Sequence, residues 1–196
     1  MAASTPTRER IIDAAMSLFS DNGFRGTSVT QIETAAGLTP GAGGIYHHFR
    51  SKEELLAAGV ERHLARLDAL RDIRRLLTGL GDLRAELTLT ARYVLAELDR
   101  EADLLRILAS EARARPELVR GAADRLIRLT YTEFAAWLTE RNQLPPERAR
   151  AIADAGLGAL MSRRLLGTVL GVGAPATDDD TFVTAWVDMM SQVIGG

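Results

Sequence analysis

Apolar residues recur at three- and four-residue spacings along almost the whole of this 196-residue chain, which is the pattern of amphipathic helices. In the first such stretch, Ile11, Ala15, Leu18 and Phe19 fall on one helical face. Alternating runs of β-branched and aromatic residues are nearly absent, and no Asn-Gly or Asp-Gly hairpin turn joins two such runs. The pattern therefore predicts an all-α protein.

Capping residues, prolines and glycines predict where the helices begin and end. Four starts are predicted at Thr5-Pro6, the capping box Ser28–Gln31, Thr39-Pro40 and the capping box Ser51–Glu54. The corresponding ends are predicted at Gly23, Gly37, about Phe49 and about Leu77. Five further helices are predicted at about residues 82–99, 101–114, 116–142, 146–170 and 178–194, which makes about nine in all.

The fourth predicted helix is long and has a continuous apolar face. That face is formed by Leu56, Val60, Leu64, Leu67 and Leu70. The helix is expected to end where glycines interrupt the pattern at residues 78–81. We therefore expect an N-terminal domain over residues 1–50 and a C-terminal helical bundle over residues 51–196.

The second and third predicted helices have the layout of a helix-turn-helix, with a helix over residues 29–36, a turn at Gly37-Leu38 and a helix over residues 40–49. Its internal contacts are expected from Ile32, Ala36, Leu38, Ile45 and Phe49. In such a unit the second helix lies in the major groove of DNA. Double-stranded DNA is therefore the expected partner.

The outer face of this unit carries groups suited to phosphate. Thr27 and Ser28 stand at a helix N-terminus, where free N–H groups and the positive end of the helix dipole attract anions. Tyr46 and His47 lie midway along the third predicted helix, and Lys52 opens the fourth. Residues 39–52 include two basic residues, two histidines and no acidic residue, so this stretch is locally positive.

The run from Pro40 to Gly44 contains three glycines, although each glycine inside a helix costs about 1 kcal/mol relative to alanine. Close approach of the backbone to a DNA duplex would explain them. A phosphate-binding loop is excluded, because no strand precedes the run and no Gly-Lys-Ser/Thr follows it. A loosely wound connector remains the alternative.

Composition narrows the chemistry further. The chain has no cysteine, which excludes a disulfide framework, a thiolate zinc site and a cysteine nucleophile. No metal and no cofactor are expected, since the adjacent His47 and His48 point about 100° apart on a helix. The net charge is −2, and residues 1–63 hold six basic and seven acidic residues, so overall charge gives no attraction to nucleic acid.

The N-terminus lacks the apolar stretch of a secretory signal. No apolar run approaches the roughly 18 residues of a membrane span. A cytoplasmic protein without membrane partners is therefore expected.

Four segments resemble the TetR family of transcriptional regulators. They are Gly23–Ser28, Ile32 with Ala36–Thr39, Ile45–Phe49 and Ser51–Leu55, which together occupy about a quarter of the chain. The resemblance implies DNA contacts from Thr27, Thr39, Tyr46, His47 and Lys52. With the helix N-terminus and the glycine-rich run, the predicted DNA-binding set is Thr27, Ser28, Thr39, Pro40, Gly41, Ala42, Gly43, Gly44, Tyr46, His47 and Lys52.

Two features depart from the usual pattern of that family. Glu33 stands where the family usually has alanine, and Gly37 to Tyr46 spans ten residues, two more than is usual. The glycine-rich form looks like a subgroup variant. It lacks the long polar side chain that often opens the recognition helix, so the atoms that read bases are not identified by the resemblance.

The resemblance implies a homodimeric, ligand-responsive regulator, by default a repressor, that is released from palindromic operator DNA by a small molecule bound in the C-terminal bundle. The helical stripe Ile127, Tyr131, Phe134 and Leu138 could belong to the core or line that pocket. An all-α enzyme or a helical adaptor with a non-functional DNA-binding head is the alternative, and no catalytic residues are predicted.

The last two helices are predicted to form the dimer interface. From Phe182 to Ile194 only four residues are polar, so the apolar surface covers most of the helix circumference and requires burial on more than one side. The predicted interface residues are Gly156, Ala159, Phe182, Trp186, Met189, Met190 and Val193. Burial of both sides in the subunit's own core is the alternative.

Overall fold

The computed structural model describes residues 6–76, 81–125, 129–171 and 177–195, and it places the backbone but not the side chains of residues 67–76 and 129. The predictions that concern Thr5, residues 77–80 and Ile127 lie outside the described residues. The predicted packing of the Leu67 and Leu70 side chains also lies outside them.

The described part of the chain is all-helical, as predicted, and contains nine α-helices and no strand. The α-helices are α1 (Thr7–Gly26), α2 (Val29–Ala35), α3 (Lys52–Leu76), α4 (Leu83–Arg100), α5 (Ala102–Glu111), α6 (Pro116–Ala123), α7 (Leu129–Asn142), α8 (Pro146–Leu170) and α9 (Asp179–Gly195). A short 3-10 helix covers Gly44–His47. Within the described ranges, no helix combines the length and apolar character needed to cross a membrane.

The predicted third α-helix over residues 40–49 is wrong. Gly41 has a φ of +77° and Gly43 a φ of +72°, in the left-handed region, and an α-helix of L-residues cannot continue through such residues. Only Gly44–His47 is helical, and that turn is of the tighter 3-10 type. The glycine-rich run is therefore a connector, which was the alternative.

Three other predictions of helix boundaries differ from the structure. The predicted helix over residues 116–142 corresponds to α6 and α7, and residues 126–128 between them lie outside the described part. Pro6 occupies the N-cap position of α1, not the first helical position as predicted. Gly23, the predicted end of the first helix, leaves the helical path with φ +71° and ψ 163°, although helical hydrogen bonding resumes as far as Gly26.

Capping chemistry explains why the short helices start where they do. At α2 the predicted capping box is confirmed, since Ser28 Oγ accepts from the Gln31 N–H at 3.2 Å and Gln31 Oε1 accepts from the Ser28 N–H at 2.7 Å. At α3, Ser51 Oγ accepts from the Glu54 N–H at 3.1 Å. The Glu54 carboxylate reaches one residue further back and accepts from the Arg50 N–H at 2.7 Å.

The chain folds as two compact units. The first runs to Arg66 and includes Asp103–Ala122, while the second contains Leu67–Ala102 and the residues from Ala123 onward. The core of the first unit contains the buried side chains Ile11, Ile12, Phe19, Ile32, Ile45, Phe49, Leu55 and Leu56. The predicted functional boundary at residue 50 stays a prediction, because packing does not reveal which residues bind DNA.

The second unit is a helical bundle in which α8 packs on α7 and α4, and α9 packs on α4. Its core includes Leu87, Leu95, Phe134, Leu138, Leu157, Leu160, Trp186 and Met190. Phe134 and Leu138 of the aromatic stripe are core residues, and Tyr131 packs against them from the rim.

Candidate nucleic-acid interface

The interior of the helix-turn-helix is built from the apolar residues that the sequence predicted. Ile32, Ala36, Ile45 and Phe49 are all buried, and Leu38 is half-buried. Burial of these side chains fixes the 3-10 helix against α2 even though the connector between them is irregular.

The turn after α2 reverses the chain through glycine and main-chain hydrogen bonds. Gly37 has a φ of +69° and donates its N–H to the Thr34 carbonyl at 3.1 Å. The next residue, Leu38, donates its N–H to the Glu33 carbonyl at 2.8 Å. The chain therefore leaves α2 along a defined path, which sets the position of the following segment.

The recognition segment, which we define as residues 39–48, presents a polar surface to solvent. Thr39, residues 40–42, Tyr46 and His47 are exposed, with 57% of Tyr46 accessible. Hydroxyl and imidazole groups can bind both phosphate oxygens and base edges. The predicted contact residues of this segment thus lie together on one accessible stretch, while Gly43 and Gly44 are half-buried.

Thr27 does not lie on this surface, and the predicted role of its side chain needs correction. The residue is 1% exposed, and its Oγ1 lies 3.0 and 2.9 Å from the Leu18 and Gly23 carbonyl oxygens, which share its one O–H donor. The hydroxyl therefore closes the corner between α1 and α2 from inside. Ser28, directly after it, is exposed at the N-terminus of α2.

Lys52 is also engaged within the protein. Its Nζ donates to the Phe24 carbonyl at 2.7 Å and to the Thr27 carbonyl at 2.8 Å, and it lies 4.2 Å from the centroid of the Phe24 ring. A lysine ammonium has three N–H donors, so one remains for an external acceptor. Sequence reasoning could not find these contacts, because they join Lys52 to residues that lie 28 and 25 positions earlier in the chain.

A second cation contacts Phe24 from the start of α6. The Arg115 guanidinium carbon lies 3.7 Å from the ring centroid. Arg115 also pairs with Glu111 and lies 3.8 Å from Glu53. This contact between the residue before α6 and the Phe24 ring of α1 was missed at the sequence level, since a lone arginine between two helices gives no signal of its partner.

The residues predicted for the dimer interface separate into two groups. Gly156, Trp186 and Met190 lie in the core of their own subunit, and Trp186 Nε1 donates to the Gly156 carbonyl at 2.8 Å. Their assignment to the interface needs correction, because Trp186 and Met190 fill the space that glycine leaves on α8. Phe182 and Ala159 are half-buried.

The remaining two predicted interface residues, Met189 and Val193, are 44% and 43% exposed. Three large apolar side chains near the end of α8 are also exposed, which the sequence analysis did not single out. They are Leu166, Val169 and Leu170.

An open cleft of about 450 Å³ lies between α7 and α8 in the second unit. Its lining includes Tyr131, Thr139, Arg150 and Asp154. Burial, and secondarily the nearby Asp154 carboxylate, raise the pKa of the Tyr131 hydroxyl. That hydroxyl lies 3.4 Å from Met161 Sδ. The cleft thus offers apolar walls with a few polar groups.

Residues 11–58 match the model of the family described as bacterial regulatory proteins, tetR family. The transcriptional regulator UidR of Escherichia coli K12 is 46% identical over 65 residues. That alignment covers 31% of this chain and 32% of UidR, so the chain matches about a third of the length of this relative. The transcriptional repressor Rv1474c of Mycobacterium tuberculosis is 27% identical over 165 residues, which cover 82% of this chain and 83% of the repressor.

Solved structures share the fold over nearly the whole chain. A TetR-family regulator from Mesorhizobium loti has a TM-score of 0.75 at 24% identity, covering 95% of this chain and 96% of that one. The regulator FadR from Bacillus subtilis, solved in complex with stearoyl-CoA, has a TM-score of 0.66 at 17% identity, with coverages of 93% and 96%. At these identities the likeness establishes the fold alone.

Proposed function

We propose that this chain is a TetR-family, ligand-responsive transcriptional repressor that binds operator DNA as a homodimer, a proposal supported by the match of residues 11–58 to the family model. The observation that carries the proposal is the exposed recognition segment, held on a buried helix-turn-helix core within the matched region. Two relatives are named as transcriptional repressors, Rv1474c and AcnR of Corynebacterium glutamicum.

We assign DNA contact to exposed groups in the helix-turn-helix and directly beside it. The exposed residues expected to contact the major groove of DNA are Thr39, residues 40–42, Tyr46 and His47. The main-chain N–H groups directly after Ser28 would bind a phosphate. Lys52 has one ammonium donor left for a neighbouring phosphate. Because the head has no excess of basic residues, its affinity would depend on these local contacts more than on overall charge.

We propose that the glycine-rich connector gives the recognition segment of this chain its particular backbone path. The stretch from Gly37 to Tyr46 contains ten residues, counting both ends. The left-handed backbone of Gly41 and Gly43 lets this stretch fold back before the 3-10 helix begins. A short turn then presents Tyr46 and His47, in place of the longer helix that the sequence suggested.

A two-fold dimer would place two heads on half-sites about one helical turn apart, roughly 34–36 Å. The exposed apolar residues of α8 and α9 supply the surface that we assign to subunit contact. They are Leu166, Val169, Leu170, Met189 and Val193. Exposed apolar side chains on two helices favour burial against a second copy.

An effector bound in the second unit would shift the population between two separations of the paired heads. The cleft beside Tyr131 is one place for a small molecule with an apolar body and a polar end. Helix α3 contains residues of both units. It is therefore the element that we expect to carry the shift.

The proposal predicts specific binding to the DNA upstream of the chain's own coding region. A gel shift at two salt concentrations should show a complex that resists competitor DNA and weakens steeply at the higher salt. Absence of any complex at low salt would contradict it. A Glu147→Gln variant, altered at an exposed position in the first turn of α8, serves as the matched control and should bind like the wild type.

A further inference from the structure

Glu33 is a fully buried acidic residue inside the helix-turn-helix. It is 0% exposed, and its Oε2 accepts from the Gly41 N–H at 2.7 Å. Its Oε1 is buried without a hydrogen-bond partner, and no ion pair reaches it from the described residues. Burying a carboxyl group with an unmatched oxygen costs free energy, while an apolar side chain would satisfy the packing alone.

Glu33 accepts hydrogen bonds from main-chain N–H groups at both ends of residues 38–41. Its carbonyl accepts from the Leu38 N–H at 2.8 Å, and its carboxyl group accepts from the Gly41 N–H three residues later. The residues between these two anchors, Thr39 and Pro40, are exposed. One side chain and its own main chain therefore fix the path by which the recognition segment starts.

The glycines of the segment fit around the same carboxyl group. Gly41 has a φ of +77°, which aims its N–H inward without the strain that a side chain would bring. A Cβ on Gly44 would lie 3.9 Å from Glu33 Oε1 and 3.4 Å from Leu38 Cδ1. Glu33 and the glycine-rich segment thus form one matched unit.

We propose that Glu33 is a positioning residue for operator recognition, which fixes the glycine-rich segment in the shape that meets DNA. The proposal rests on the DNA-binding function proposed above. Glu33 itself touches no DNA in this account, since it is buried beneath the segment. Its contribution is to hold Thr39–Ala42 in one conformation before binding, which lowers the cost of ordering on the duplex.

The test compares Glu33→Met, which keeps the length but removes the acceptor, with Glu33→Gln, which keeps an oxygen that can accept from Gly41. Three quantities are measured: amide hydrogen exchange at Gly41, the melting temperature, and the ratio of affinities for upstream and random DNA. In Glu33→Met we expect amide exchange at Gly41 to be at least about tenfold faster and the affinity ratio to be about tenfold lower. Both effects correspond to the loss of one buried hydrogen bond. The melting temperature should be unchanged or higher, since an apolar side chain replaces a buried polar one.

Glu33→Gln should recover most of the Gly41 protection and of the affinity ratio, which a purely structural role would not predict. The matched control is Glu86→Met. Glu86 is also buried and accepts from a left-handed glycine, Gly81, at 3.1 Å, but it lies in the second unit. Its loss should lower the melting temperature and leave the affinity ratio unchanged.

Unchanged Gly41 exchange in Glu33→Met, or an unchanged affinity ratio, would overturn the proposal. If Glu33→Met does not fold, Glu33→Asp carries the same expectation, because it is one methylene too short to reach Gly41. Failure of the wild-type protein to distinguish upstream from random DNA would instead overturn the proposed function. Gly41 exchange needs no DNA, so the two failures are separable.

Discussion

Single polar side chains in the first unit bind main-chain groups of α1 and of the segments that follow α1 and α2. Lys52 donates to two carbonyl oxygens, the single O–H donor of Thr27 lies within reach of two more, and the Glu33 carboxyl group accepts one N–H. Buried backbone groups need such partners, and the irregular connector makes few of its own. The same residue types that suit phosphate binding therefore also serve the fold, and only their contacts distinguish the two roles.

Gly43 should be required for stability because of its left-handed backbone. Its φ is +72°, and a Cβ in that conformation costs about 1–2 kcal/mol. Gly43→Ala should therefore lower the free energy of unfolding by about 1 kcal/mol in urea denaturation. Gly121→Ala is the control, since that helical glycine of α6 has open space around it. An equal effect of the two substitutions would contradict the argument.

Lys52 should affect both folding and DNA binding. Lys52→Met removes two hydrogen bonds to carbonyl oxygens, so we expect a loss of about 1–3 kcal/mol in the free energy of unfolding. If the third donor binds a phosphate, the slope of log affinity against log salt should also fall by about 0.9 per subunit, equally for all sequences. An unchanged slope would restrict Lys52 to its internal role. Arg120→Met, an exposed change on α6, is the stability control.

At the scale of elements, local capping signals were predictable and glycine geometry was not. The capping box of α2 and the starts of α4, α5, α6, α8 and α9 lie within about two residues of their predicted positions, because each depends on a few neighbouring residues. Sequence does not encode the sign of φ at Gly41 and Gly43, so the connector was predicted as a helix. Likewise, the apolar circumference of α9 does not say whether Trp186 meets its own core or a partner.

An arginine–aspartate cluster joins α8 to the start of α9 and to α4. Arg164 and Arg163 both bind the Asp179 carboxylate, with Arg163 Nε at 2.7 Å, and Arg164 also binds Asp99 at 2.7 Å. Hydrogen bonds from Arg164, then Arg163, lower the pKa of the Asp179 carboxyl to about 2 from its usual 3.8. The pair ties the first turn of α9 to α8 and to α4.

This pKa gives the cluster a specific pH dependence. A carboxyl group whose pKa is lower in the folded state stabilises the fold above its unfolded pKa, and that contribution is lost as the pH falls toward the folded value. Wild-type protein should thus lose stability between about pH 4 and pH 2 through this group, and Asp179→Asn should flatten the profile there. Urea denaturation across that range measures it, and an unchanged profile in Asp179→Asn would contradict the role given to the cluster.

The homodimer proposed for the whole molecule needs an interface outside the core of each subunit. Met189 and Val193 are exposed on α9, whereas Trp186 and Met190 are buried beneath them. Met189→Glu should therefore give folded monomers with unchanged helical circular dichroism and weak operator binding. Trp186→Glu should disrupt the bundle, because a charge would replace a buried, hydrogen-bonded ring.

Light scattering measures the oligomeric state of these variants. Ala96→Glu, which adds the same charge at an exposed position of α4, is the matched control and should remain dimeric. A dimer that survives both Met189→Glu and Leu170→Glu would place the interface on another surface.

If the recognition segment binds operator DNA, footprinting should reveal where it binds on the upstream DNA. Two protected half-sites are expected about one helical turn apart, roughly 34–36 Å. Protection should disappear in a Tyr46→Ala, His47→Ala double variant, whose exposed side chains can be removed without disturbing the buried core. No protection by the wild type, or full protection by the double variant, would contradict the account.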